Sequence, residues 1–240
     1  RRRVVKRSAT TVKKSRRNPE VSVEGDLSCL SFPQVLCRED QRAHIVEWIS
    51  DRLSGKCASV LHASGPPGTG KTYLMKSIVV GVQGSIYVNC MHFSGQNGLM
   101  EEMGKLMEMA PGKVIDHLSR KPNLVVVDEI DQILNTKKTL HKDMNKNEIF
   151  LMKLLRLAMQ AKYRFALVGV SNALSDLAER FRRYTGMTAA DTQLRTIIFP
   201  PYTKEQVHAL IERDIEILNG SSTPITFDNT ALMWCSARVS

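Results

Sequence analysis

The chain has no long apolar run. None of its 240 residues falls in a stretch approaching the roughly 18 to 20 apolar residues that a membrane-spanning helix needs. The cationic N-terminus is not followed by the apolar segment of a secretory signal. Cysteine is scattered and unpaired in pattern: Cys29, Cys37, Cys57, Cys90 and Cys235 are odd in number and include no CxxC. That excludes a disulfide framework and a cysteine-based zinc site, and it points to a reducing compartment, cytosol or nucleus. Acid is missing altogether from Arg1 to Pro19. The first residue is Arg1 rather than Met, so a fragment is expected.

Charge is unevenly spread. The chain carries 34 Lys+Arg against 24 Asp+Glu, a net of +10. Nine of the basic residues lie in Arg1–Pro19, which leaves 25 basic and 24 acidic groups, a net of +1, for the rest. A protein that coats nucleic acid on every face is thereby excluded. Residues 1–22 have no hydrophobic period and are expected to form a disordered basic tail. Its clusters Arg1–Arg7 and Lys13–Arg17 read as a two-part nuclear-localisation signal, ahead of a phosphate-binding arm or a solvated tail without a role.

The body is 42% hydrophobic by whole-chain composition, as expected of a globular chain. One passage dominates it: Gly65-Pro66-Pro67-Gly68-Thr69-Gly70-Lys71-Thr72 fits GxxxxGK[ST] at every fixed position. A short apolar run precedes it and a helical pattern follows. Glycines let a backbone curl and aim its N–H groups at phosphate oxygens, and the next helix start adds partial positive charge there. Lys71 is expected to reach the β and γ phosphates of ATP, and Thr72 to ligate Mg2+.

Asn123-Leu-Val-Val-Val-Asp128-Glu129 is a continuous apolar run ending in acids, the pattern of a strand buried on both faces of a parallel sheet. Asp128 is the expected second metal residue and Glu129 the expected base that polarises water, so hydrolysis is expected rather than storage. The plainer alternative is a helix N-terminus that begins with two acids. Asp131 reads only as a cap for the next helix. Phe165-Ala-Leu-Val-Gly-Val-Ser171-Asn172 is another apolar strand with a polar end, where Asn172 is expected to orient the water or touch the γ phosphate; the plainer alternative is an ordinary turn.

Strands are expected near 58–63, 85–90, 123–128, 164–170 and 195–199, with helices near 40–53, 71–81, 97–108, 112–119, 146–160 and 174–183. The alternation predicts an α/β fold, a parallel sheet flanked by helices. Leu99, Met100, Met103, Leu106 and Met107 repeat at helical spacing and read as a packed face. Thr136–Asn145 reads as a polar surface loop. Pro200-Pro201-Tyr202 breaks the chain before a helix capped by Thr203, and a second helix is expected from Phe227. The domain division is therefore 1–22 tail, 33–200 nucleotide-binding domain and 201–240 a small helical lid, cut off in mid-helix.

The order Gly65–Thr72, Asp128-Glu129, Gly169-Val-Ser-Asn172 resembles the AAA+ P-loop ATPases. Cys37-Arg38-Glu39-Asp40, Tyr87-Val-Asn-Cys90-Met91, Asp128-Glu-Ile-Asp-Gln132 and Asn172-Ala-Leu-Ser-Asp176 resemble the initiator clade that contains the origin recognition complex and its licensing partner. The likeness covers residues 33–240. Gln193–Gln206 and Cys235–Ser240 favour the eukaryotic replication-licensing factor over the largest origin-complex subunit, the nearest rival.

The resemblance implies a nuclear, slow, assembly-dependent ATPase with Glu129, Asn172 and Lys71 as catalytic residues and Thr72 and Asp128 at the metal. The implied partners are origin recognition complex subunits, the minichromosome-maintenance helicase with its loading partner, and, weakly, origin DNA; no membrane is implied. An arginine acting on a neighbouring subunit's ATP is expected among Arg180, Arg182 and Arg183. The family's second sensor arginine and winged-helix domain are expected beyond Ser240. No Ser-Pro or Thr-Pro pair occurs in the tail, so the family's cyclin-kinase control is not visible there. A nucleotide-binding scaffold without hydrolysis and a clamp-loader-like motor are the alternatives of another class.

Overall fold

A computed structural model describes residues 35–93, 97–121, 123–134, 145–172, 177–186 and 193–219. The tail at 1–22, most of the 136–145 loop, the helix expected from Phe227 and the Cys235–Ser240 stretch lie outside the described residues.

Five strands form one all-parallel sheet: β1 (Val60–Ser64), β2 (Ile86–Asn89), β3 (Asn123–Asp128), β4 (Phe165–Ser171) and β5 (Leu194–Ile198), in the order β2-β3-β4-β1-β5. The three central strands are buried along their whole length. That is why they read as unbroken apolar runs, since helices cover both faces of such a sheet. β2 and β5 are edges and alternate or expose their side chains, with Ile198 55% exposed. The apolar Thr196-Ile197-Ile198 run is therefore not a buried strand, because nothing pairs beyond it among the described residues.

On one face, α1 (Glu39–Ser54) and α2 (Lys71–Gly81) bury Ile45, Trp48, Ile49, Leu74, Met75 and Ile78 against β1, β3 and β4. The other face carries α3 (Gly98–Leu106), α4 (Val114–Arg120), α5 (Asp131–Leu134), α6 (Lys146–Ala158) and α7 (Leu177–Thr185). There Leu99, Met103, Leu118, Leu154 and Phe181 fill the second core cluster. Leu99 and Met103 are fully buried and Met100 and Met107 pack beside them, so the stripe is a packed face; Leu106 alone turns outward.

Helix ends differ from expectation for local reasons. α3 stops at Leu106 because Glu108 takes a left-handed φ of 52° and Met109 N–H turns back to Gly104 O at 2.9 Å. The helix expected at 112–119 begins as a 3-10 turn, Pro111–Lys113, with proline in its first turn. α6 ends at Ala158, where the guanidinium of buried Arg52 takes the Ala158 and Gln160 carbonyls at 2.5 and 3.3 Å. α8 (Lys204–Asn219) follows the proline pair, and Thr203 and Gln206 bond reciprocally side chain to backbone, at 3.0 and 3.3 Å. This is the capping box that satisfies first-turn donors.

Candidate nucleotide site

The strand order places the site. β4 runs between β1 and β3, so the residue after its C-terminal end lies between the glycine loop after β1 and the acids after β3. Sequence order alone does not reveal that adjacency.

The loop Gly65–Gly70 leads straight into α2. Gly70, the residue before the helix, has φ 83°, and a Cβ there would overlap the Tyr202 hydroxyl. Both the left-handed backbone and the close approach require glycine. At the loop's start, a Cβ on Gly65 would strike the Phe199 carbonyl. Lys71 is 5% exposed, and its ammonium donates to Gly65 O and Pro66 O at 2.7 Å each and to Thr69 Oγ1 at 3.4 Å. Burial lowers its pKa, against the pull of Glu129, Asp128 and Asp131.

Asp128, at the end of β3, is 1% exposed, and both of its oxygens accept hydrogen bonds. Its Oδ2 accepts from the Thr72 hydroxyl at 2.7 Å and the Tyr87 hydroxyl at 2.5 Å, while Oδ1 accepts from Glu129 N–H at 2.8 Å. Burial and the Asp128 carboxylate push the Tyr87 phenol pKa up, so it stays a donor. Glu129 takes φ 55°, a left-handed conformation costly for a side chain with a Cβ. The turn aims its carboxylate at β4, where Oε2 accepts from Asn172 Nδ2 at 2.8 Å. Burial first, then Asp128 and Asp131, raise the Glu129 pKa; Lys71 and the Asn172 bond oppose this.

Asp131 does more than cap α5: its Oδ2 accepts from the Asn172 backbone N–H at 2.6 Å, across from β3 to β4. The structure thus brings Lys71, Thr72, Asp128, Glu129 and Asn172 together. Pro67, Gly68, Thr69, Lys71, Glu129 and Asn172 are among the residues lining one cleft of about 430 Å³. Arg180, Arg182 and Arg183, all on α7, are not among the residues lining this cleft. Arg180 pairs with buried Glu148 at 3.0 Å and Arg183 with Glu179, whereas Arg182 has no ion pair among the described residues.

Three contributors were not legible as site residues. Tyr87 and Tyr202 read only as a strand and a loop residue. Arg38, 2% exposed, donates from Nε to Thr69 O at 3.0 Å and from its guanidinium to Pro200 O at 2.6 Å, 3.9 Å above the Tyr202 ring. It clamps the glycine loop to the Pro200-Pro201-Tyr202 segment. The Cys37-Arg38-Glu39-Asp40 stretch resembles the initiator clade, but nothing in it marks Arg38 as touching the glycine loop.

The donor set fits a magnesium nucleotide. Among the described residues, no group of three His, Cys, Asp or Glu is placed to hold a metal. What is offered is one hydroxyl and one carboxylate beside a buried ammonium and a helix start. Mg2+ suits such a set, because it keeps several waters and takes phosphate oxygens as ligands. No helix of the described residues is long and apolar enough to cross a membrane.

Comparison with known proteins agrees with this geometry. Residues 61–190 match the ATPase family associated with various cellular activities (AAA). Cell division control protein 6 homolog B of Arabidopsis thaliana is 25% identical over 234 residues, covering 85% of this chain and 43% of that protein. The human cell division control protein 6 homolog is 27% identical over 226 residues, covering 85% and 37%. The chain therefore spans less than half the length of these curated relatives. Among solved structures, the Aeropyrum pernix ORC1 protein in complex with DNA superposes with a TM-score of 0.64 at 22% identity, covering 85% of this chain and 55% of that one. Drosophila ORC bound to DNA gives 0.63 at 17% identity, covering 97% and 60%. At such identities the two structures share the fold.

Proposed function

The chain belongs to the AAA family of ATPases, and on that premise we propose that it is a replication-initiation ATPase, slow alone and completed by assembly. It acts with the origin recognition complex to license origins and load the minichromosome-maintenance helicase with its loading partner, in the nucleus and in contact with origin DNA. The names of the cell division control protein 6 relatives support this role. So does the likeness to an ORC1 protein and an ORC, each solved with DNA.

The observation that carries the chemistry is the Asn172–Glu129 contact beside the Asp128–Thr72 contact. Lys71 and the backbone N–H groups from Gly68 to Thr72 hold the phosphates. Thr72 and Asp128 would hold Mg2+, which when bound would neutralise charge on the phosphate oxygens. Glu129 takes the proton of the attacking water, and Asn172 keeps the Glu129 carboxylate turned toward the cleft. The raised Glu129 pKa improves its match to that role, since a base works best with a pKa near the working pH. A nucleotide-binding scaffold without hydrolysis has no use for a glutamate held in a strained turn and met by an amide.

Fluorescent-ATP binding with and without Mg2+, followed by single-turnover hydrolysis with and without the origin recognition complex on DNA, tests this reading. Expected are Mg2+-dependent binding, lost in Lys71→Ala, and hydrolysis stimulated by the complex. A wild-type protein that binds no ATP overturns the nucleotide site; binding without stimulated hydrolysis overturns the assembly-dependent ATPase.

A further inference from the structure

A second polar pair lies behind the site. His62 is the third residue of β1, and its ring Nε2 is 2.7 Å from the hydroxyl oxygen of Ser171, the last residue of β4. The two are 3% and 1% exposed. An imidazole in the strand Val-Leu-His-Ala-Ser is costly to bury unless hydrogen-bonded, and strand pairing does not need it. The β1–β4 ladder already runs His62↔Gly169 and Ser64↔Ser171 through the backbone.

Geometry explains where the ring goes. Gly169, directly opposite, offers it no side chain, and a Cβ there would lie 3.3 Å from Ile130 Cδ1. The ring instead reaches the next residue on the same face of β4, Ser171. The other side of this strand end is held from β3: Ile130 N–H donates to Val170 O at 3.0 Å, and Asp131 accepts from Asn172 N–H at 2.6 Å. Ser171-Asn172 is thus gripped from both neighbouring strands, by His62 on the glycine-loop side and by Asp131 on the acid side. The His62 grip joins side chain to side chain, whereas Asp131 holds the Asn172 backbone.

We propose that His62 is a positioning residue: through Ser171 it ties the end of β4 to the strand that carries the glycine loop, and so keeps the Asn172 amide on Glu129. This rests on the nucleotide reading above. A displacement of the loop on binding phosphate is passed by this link to the pair that handles water. Burial lowers the His62 pKa, so the ring stays neutral and keeps one donor and one acceptor for such a link.

The test compares His62→Leu, His62→Gln, Ser171→Ala and the His62→Leu/Ser171→Ala double variant in the full chain. Fluorescent-ATP affinity, single-turnover hydrolysis and the Asn172 side-chain amide resonance, assigned by its loss in Asn172→Asp, are measured for each. His62→Leu and Ser171→Ala are expected to slow hydrolysis by about tenfold or more, as a misplaced catalytic group does, with ATP affinity kept within about twofold. The double variant adds little to either, as expected of two residues in one interaction. Both singles shift the amide resonance, and His62→Gln, which can still bond, recovers most of the rate and the resonance. Wild-type rate with an unmoved resonance overturns the proposal. Parallel loss of affinity, melting temperature and rate in His62→Leu, with no recovery in His62→Gln, also overturns it, because His62 then acts through core packing alone. Failure of the wild type to bind ATP condemns the nucleotide reading separately, while the resonance still decides whether His62 holds Asn172.

Discussion

Asn172 and Glu129 meet at 2.8 Å across two neighbouring strands, although 43 residues separate them in sequence. Each is brought there by backbone rather than by reach. Glu129 sits in a left-handed turn after β3, and Asn172 is tied down by its own N–H to Asp131. A carboxylate so placed is both aimed and partly dehydrated.

Glu129→Gln keeps the side chain's length and its bond to Asn172 but removes the base. Hydrolysis should fall by about 10² to 10⁴ while ATP affinity holds. A single-turnover assay checks this, and unchanged turnover dismisses Glu129 as the base.

The same substitution carries a pH signature. Because the folded pKa of Glu129 is raised, the native state binds its proton more tightly than the unfolded chain does. Stability should therefore fall as pH rises from the unfolded carboxyl pKa to the folded one, then stay level. Glu129→Gln should melt higher than wild type at pH 7, with the gap closing as the pH drops below about 4. Thermal melts from pH 3.5 to 8 read this out, and parallel curves would count against the raised pKa.

Gly70→Ala meets two obstacles, the left-handed backbone and the Tyr202 hydroxyl. The backbone term alone costs about 1 to 3 kcal/mol, and nucleotide binding should weaken as the loop shifts. Adding Tyr202→Ala should recover only the steric part. Full recovery in urea melts would show that the backbone conformation is not limiting.

Arg38→Ala removes the cation that holds Thr69 O and Pro200 O and stacks on Tyr202. Leaving the buried Thr69 carbonyl unpaired costs about 1 to 3 kcal/mol. Arg38→Lys should rescue little, since one ammonium cannot match the planar fork and the stack. Urea melts measure the stability, and a lysine variant as stable as wild type would contradict the stacking argument.

Of the three α7 arginines, Arg182 is the one we propose to serve a neighbouring subunit. Its two companions are paired within the chain. Arg182→Ala should leave ATP binding intact and cut hydrolysis in the assembled complex by about 10³ or more. Arg180→Ala should lower stability, because Glu148 loses its partner. The opposite pattern, a stability loss in Arg182→Ala and a rate loss in Arg180→Ala, exchanges their roles.

Much of this was legible in the sequence because it rests on local rules. The glycine loop, the apolar run ending at Asp128 and the strand ending before Asn172 announce themselves by residue type and spacing. β3 and α2 fall where periodicity puts them. Asp131 was misread because a carboxylate at a helix start looks like a cap, and its partner lies 41 residues away. Arg38, Tyr87 and Tyr202 lie in stretches that resemble the initiator clade, but no pattern marks them as site members, because each acts through contacts with distant segments.

By itself, the sequence determined most of the elements, the glycine loop and the acidic strand end, since backbone freedom and hydrophobic period act over a few neighbouring residues. Only the tertiary structure decided that β4 lies between β1 and β3. That order sets Asn172 against Glu129, Tyr87 and Thr72 on one oxygen of Asp128, and His62 against Ser171. Strand order follows from how a whole parallel sheet buries both its faces, a condition met jointly by residues far apart in the chain.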